Sequence, residues 1–201
     1  VAIKCLFSEL ARDAEQVQRF QREARAAGAV ASAHVAEVFE TGVLSDGAPF
    51  LVMELLEGQT LASALAAVPA FPVGRAASIA RQVASGLSAA HGAGVVHRDL
   101  KPENVFLVVR EGGRERVKVQ DFGVSKFRSL DLDDGLTRTG TAIGTPAYMS
   151  PEQSGGANDV DHRTDVWALG VLLHRMLAGE LPFTAENYAR LLLRIGRLLL
   201  Q

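Results

Sequence analysis

Cysteine is nearly missing from this chain, with one residue, Cys5, among 201. A lone thiol rules out an internal disulfide framework and suits a reducing compartment. On a strand beside Lys4, its simplest role is packing. An excess of charge of one sign is lacking too. The 21 Lys and Arg nearly balance 23 Asp and Glu, for a formal net charge of −2. That leaves no polybasic surface for nucleic acid or an anionic membrane. Long apolar runs are absent: none reaches the roughly 18 uncharged residues a membrane helix needs. The most apolar candidate, residues 166–178, is too short and contains His174 and Arg175. His34, His91, His162 and His174 lack the spacing of a metal site and read as structural or surface residues. There are no internal repeats and no signal peptide. The chain opens without Met inside an apolar strand pattern, so Val1 reads as a cut end that is silent on targeting.

What is present is ordinary for a globular protein, with 48% apolar and 22% charged residues. A chain of this length suits one large domain or two small lobes. Residues 1–7 alternate as a strand carrying Lys4, and residues 13–27 set Val17, Phe20 and Ala24 on one face of an amphipathic helix. Residues 35–41 and 50–55 read as strands joined through the turn Ser45-Asp46-Gly47. Glu57-Gly58 breaks the pattern, and the composition becomes helical and alanine-rich from Leu61 onward. A long helix is expected over 75–92, then strands over 105–109 and 117–120 linked as a hairpin through Glu111-Gly112-Gly113. Residues 125–144 read as a polar, threonine-rich loop, and 164–178 and 187–200 as helices. Strands with one helix, a breaker, and then mostly helices predict an α+β fold in two lobes.

The chemistry concentrates in His97-Arg98-Asp99-Leu100-Lys101-Pro102-Glu103-Asn104, followed by Asp121-Phe122-Gly123. Asp99 can take or orient a hydroxyl proton, and Lys101 can neutralise a phosphate. Asn104 and Asp121 offer the hard oxygen ligands that Mg²⁺ prefers. Together they form a toolkit for phosphoryl transfer.

This string closely resembles the catalytic loop and Asp-Phe-Gly motif of eukaryotic-type (Hanks-type) serine/threonine protein kinases, of bacterial look. The resemblance extends over essentially the whole chain. It implies a two-lobed kinase fold that is incomplete at both ends, with residues 1–56 a remnant of the β-rich N-lobe and 57–201 a helical C-lobe lacking its last helices. It further implies ATP and Mg²⁺ as cofactors, protein substrates with serine or threonine acceptors, autophosphorylation, and a cytoplasmic setting. Neither a nucleic-acid partner nor a membrane segment in this chain is implied.

Carried onto matching positions, the resemblance makes Asp99 the residue that accepts or orients the acceptor proton, with Lys101 stabilising the transferring group and Asn104 and Asp121 holding Mg²⁺. Val1-Ala2-Ile3-Lys4 resembles the strand of the phosphate-binding lysine, which a helical glutamate holds in place. Glu23 falls where that glutamate is expected, with Glu15 a competitor on the same helix. Residues 53–58 resemble the hinge, where the Glu54 carbonyl and Leu56 amide would read adenine behind the gatekeeper Met53. Ala2 above and Phe106 below would sandwich the purine. His97 is expected to pack under Asp121-Phe122-Gly123 and not to act as a base.

Lys101 and residues 144–152 point to serine and threonine rather than tyrosine. In that segment Ser150 replaces the commoner alanine before Pro151-Glu152, and Thr145 would bond toward Asp99 and Lys101. Asp165 matches the helical anchor whose carboxylate takes backbone amides of the catalytic loop, with a helix N-cap as the alternative. Arg98, directly before Asp99, marks kinases switched by an activation-loop phosphate, expected at Thr137 or Thr139, with Thr141 next. Because the chain opens at the Lys4 strand, the glycine-rich loop before it and the arginine that pairs with Glu152 are expected to be missing, leaving a poor enzyme.

Two rivals are weaker. A small-molecule kinase of the aminoglycoside-phosphotransferase type shares His-x-Asp and the later Asn, but Lys101 and residues 144–152 argue against it. A non-catalytic scaffold is disfavoured because Lys4, Glu23, Asp99, Asn104 and Asp121 are all present.

Overall fold

Alternation of more and less buried residues marks the strands Ala2–Cys5 and Pro49–Met53 of the first sheet. A computed structural model describes residues 1–5, 14–109, 112–113, 115–122, 146–155 and 160–197, without the side chains of 14–16, 19, 22, 23 and 25. Strand β1 (Ala2–Cys5) pairs antiparallel with β3 (Pro49–Met53), which pairs with β2 (Val38–Val43), giving the order β1-β3-β2. Leu51 and Met53 on β3 face inward, where Phe20 and Ala24 of helix α1 (Ala14–Gly28) meet them. Phe20 is 1% exposed, a burial worth roughly 1.5–3 kcal/mol.

The helical part is built around α3 (Val73–Gly92), preceded by α2 (Leu61–Ala67). Ala76, Ile79, Val83, Leu87 and Ala90 recur at helical spacing and are buried on one face of α3. A short helix α4 (Pro151–Ser154) precedes α5 (Arg163–Ala178), which lays Ala168, Val171, Leu172 and Met176 into the same core as α3. Helix α5 ends at Gly179, whose φ of 78° closes a left-handed cap; a side chain there would strike the Pro69 carbonyl at 2.4 Å. Helix α6 (Tyr188–Gly196) follows, capped by the Asn187 side chain accepting from the Arg190 amide.

Between these parts lies a second antiparallel sheet, β4 (Gln59–Thr60), β5 (Val105–Val109) and β6 (Glu115–Val119) in sequence order. Gly58 delivers the chain to β4 with φ 147°, and a Cβ there would sit 2.1 Å from the Leu107 carbonyl oxygen. Only glycine tolerates both the angle and the approach.

One expected strand shifts clearly and one strand was not expected. The strand expected over 35–41 runs over 38–43 instead, because Val35 is drawn into a parallel bridge with Val119. The two-residue β4 is too short to leave a periodic signal. The expected loop 125–144 and residues 198–200 lie outside the described residues. Among the described residues, no helix is long and apolar enough to cross a membrane.

Candidate active site

The catalytic string occupies the turn between α3 and β5, and buried polar contacts hold it from several sides. Asp165, 1% exposed on the first turn of α5, accepts the His97 amide at Oδ2 and the Arg98 amide at Oδ1, both at 2.8 Å. Its Oδ2 also lies 2.8 Å from His91 Nε2 on α3. The N-cap alternative for Asp165 does not apply, since His162 occupies the cap position. His97 is fully buried, with Nε2 3.0 Å from the Gln120 carbonyl and Nδ1 3.3 Å from the Asp99 amide. Since the carbonyl needs a donor and the amide an acceptor, the proton belongs on Nε2. Both ring nitrogens are thereby engaged, and the ring packs 4.7 Å from that of Phe122.

Arg98 has φ 65°, a costly conformation for a long side chain. It persists because both of its main-chain polar groups are gripped: the amide by Asp165, and the carbonyl by Gln153 Nε2 at 2.8 Å. Gln153 is itself fixed in a capping box with Ser150 and accepts from Thr164 Oγ1 at 2.6 Å. Arg98 Nε is buried with no hydrogen-bond partner among the described residues.

Around Asp99 the side chains converge. Lys101 Nζ donates to Asp99 Oδ2 at 2.6 Å, and Asn104 Nδ2 donates to the Asp99 carbonyl at 2.8 Å. Pro102 opens the 3₁₀ turn Pro102–Asn104 that folds Asn104 back toward Asp99. The Gln120 amide bonds the Asn104 carbonyl at 3.0 Å, bringing the approach to Asp121 beside the same turn. Asp121 has φ 66°, and its Oδ1 lies 2.6 Å from Lys4 Nζ.

On β1, Ala2 and Lys4 share a face, and register sets Ala2 opposite Met53. Lys4 therefore meets Asp121, while Glu23, its expected partner, lies on α1 with a side chain outside the described residues, as does that of Glu15. Phe106 lies on β5 opposite Lys118 of β6. Glu54 and Leu56 follow β3, and Leu56 packs against the Phe20 cluster. Pro146–Tyr148 forms a turn beneath the catalytic loop, and burial pushes the Tyr148 hydroxyl well above its ordinary range. Glu152 is partly buried on α4. Gly123, Thr137, Thr139, Thr141 and Thr145 lie outside the described residues.

Sequence reasoning missed Lys118 and Gln153, and it read His91 as structural or surface without its contact to Asp165. Lys118 sits between two valines on a strand that also carries Glu115 and Arg116 and so left no clear signal, whereas Gln153 completes the Ser-x-x-Gln pattern of a capping box, a faint one.

Residues 1–197 match the family model described as a protein kinase domain. The chain is similar to the serine/threonine-protein kinase pkn3 of Myxococcus xanthus, 45% identical over 189 residues, covering 93% of this chain and 34% of that protein. It is similar to PknL of Mycobacterium tuberculosis, 41% identical over 188 residues, covering 93% of this chain and 45% of that protein. Among solved structures, the Mycobacterium tuberculosis PknI kinase domain superposes with a TM-score of 0.69 at 31% identity, over 92% of this chain and 64% of that one. The chain thus spans less than half the length of these curated relatives.

Proposed function

We propose, from the premise that the chain belongs to the protein kinase domain family in its bacterial serine/threonine branch, that it carries the machinery for ATP-dependent phosphorylation of serine and threonine hydroxyls on proteins. The observation that carries this reading is the cluster of Asp99, Lys101 and Asn104, linked through Gln120 to the Lys4–Asp121 pair.

In this reading the acceptor hydroxyl oxygen forms a bond to the γ-phosphorus as the bond to the departing ADP oxygen breaks, and Asp99 receives the hydroxyl proton. Lys101, already beside Asp99, neutralises charge on the transferring group. Lys4 serves the α- and β-phosphates, with Glu23 as its helical support. The donor set fits Mg²⁺. The Asn104 amide nitrogen is engaged by Asp99, leaving its oxygen as the ligand atom, and Asp121 adds a carboxylate. One or two such ligands are what Mg²⁺ uses when phosphates complete its shell. When bound, the metal neutralises the β- and γ-phosphate charge.

The Glu54 carbonyl and Leu56 amide would read adenine between Ala2 and Phe106, with Met53 behind. The lobes would divide at residues 56 and 57, and the cytoplasm is the proposed setting. Phosphate on Thr137 or Thr139 would pair with Arg98, a role supported by its buried Nε, which has no hydrogen-bond partner among the described residues. Thr145 and Glu152 would shape the acceptor side.

The test is a phosphorylation assay in the full-length protein with protein acceptors and small-molecule alcohols side by side, and Asp99→Ala as control. Label on serine or threonine that Asp99→Ala abolishes is expected. Label on small molecules alone would overturn the reading.

A further inference from the structure

Among the described residues, Lys118 is a buried cation with no part in the proposed reaction. Lys118 sits between Val117 and Val119 on β6 and is 8% exposed. Pairing sets it opposite Phe106, so the two side chains rise from the same face of the sheet. Its ammonium donates to Glu54 Oε2 at 2.7 Å and to the Val35 carbonyl at 3.1 Å. The same Glu54 oxygen accepts the Glu37 amide at 3.2 Å, while the Glu54 amide donates to the Glu37 carbonyl at 2.8 Å. The segment supplying Val35 is itself tied to β6, by Ala36 N to Val119 O and Val119 N to His34 O, both 2.8 Å.

Glu54 is thus held at its carboxylate and its amide, and its carbonyl is the polar group this cluster does not use. A strand position as buried as that of Lys118 would ordinarily take an apolar residue. Desolvating an ammonium there is costly, and a buried ion pair often adds little stability over an apolar replacement. What the pair adds is position. It ties the hinge residue to the strand beside Phe106.

We propose that Lys118 is a positioning residue for the nucleotide base: through Glu54 it fixes the hinge backbone over Phe106, setting affinity for the purine without touching the phosphates or the acceptor. The inference rests on the hinge reading given above. Lys118→Met keeps the aliphatic stem and removes the charge.

In the full-length protein, binding of Mg-ATP is compared with that of Mg-tripolyphosphate, which has no base. The variant is expected to lose about tenfold in ATP affinity, equivalent to about 1.4 kcal/mol, with tripolyphosphate affinity unchanged. The KM for ATP rises by the same factor, kcat holds, and hydrogen exchange at the Glu37 and Glu54 amides accelerates. Lys118→Arg, which restores the charge, recovers the affinity. If the methionine variant does not fold, Lys118→Gln serves the same comparison. Unchanged ATP affinity, an equal loss for both ligands, or an arginine variant as weak as the methionine one overturns the proposal and leaves the hinge reading standing. A wild-type protein that binds ATP no more tightly than tripolyphosphate overturns the hinge reading, and this inference falls with it.

Discussion

The two sides of the cleft are held in different ways. On the acceptor side, the catalytic loop hangs on Asp165, which is 1% exposed and takes two backbone amides, while Gln153 holds the Arg98 carbonyl. On the phosphate side, Lys4 and Asp121 meet in one pair whose side chains are 37% and 26% exposed. The first arrangement fixes main chain in a strained conformation and so fixes where Asp99 points. The second is a half-solvated contact between two groups that are both assigned to the nucleotide and its metal. In the proposed reading, deep anchoring serves the group that must be aimed, and the exposed pair consists of groups that would exchange partners as ligand arrives.

That contrast is open to direct attack. Asp165→Ala strands the buried His97 amide and the partly buried Arg98 amide and is expected to cost about 3–5 kcal/mol, read by urea denaturation, with turnover falling even where the protein stays folded. A loss below 1 kcal/mol would mean that the loop is not hung on α5. Gln153→Leu releases the Arg98 carbonyl and is expected to cost about 1–2 kcal/mol. Its effect should be smaller in an Asp165→Ala background, since both residues hold the same strained residue. Lys4→Met should move stability by less than about 1 kcal/mol, as for exposed ion pairs, while weakening Mg-ATP binding measured by calorimetry. A stability loss as large as that of Asp165→Ala would erase the distinction between the two sides.

The cluster around Asp99 was legible in the sequence because it is local: Asp99, Lys101 and Asn104 fall within one turn, and Asp121 follows one hairpin later. What holds it was harder to read. Resemblance pointed to Asp165 as the anchor of the catalytic loop, 68 and 67 residues from the amides it takes. The other supports of the loop are equally remote and carried no such pointer: His91 lies 74 residues from Asp165 and Gln153 is 55 from Arg98, and on the hinge Lys118 is likewise 64 from Glu54. No periodicity records such pairings. The same holds for Val35, whose strand-like neighbourhood is used by Val119 across the sheet boundary rather than by β3. Helices with long one-faced patterns, such as α3 and α5, lay within two residues of their expected ends because burial on one face dictates both pattern and extent.

The central claim is that Asp99 serves the acceptor hydroxyl and Asp121 the metal–nucleotide complex. Nucleotide affinity and turnover measured together in Asp99→Asn and Asp121→Ala, in the full-length protein, test it most directly. Asp99→Asn is predicted to bind Mg-ATP as the wild type does while kcat falls by roughly 10²–10⁴. Asp121→Ala is predicted to lose Mg-ATP affinity along with activity. Equal loss of nucleotide affinity in both variants would contradict the account.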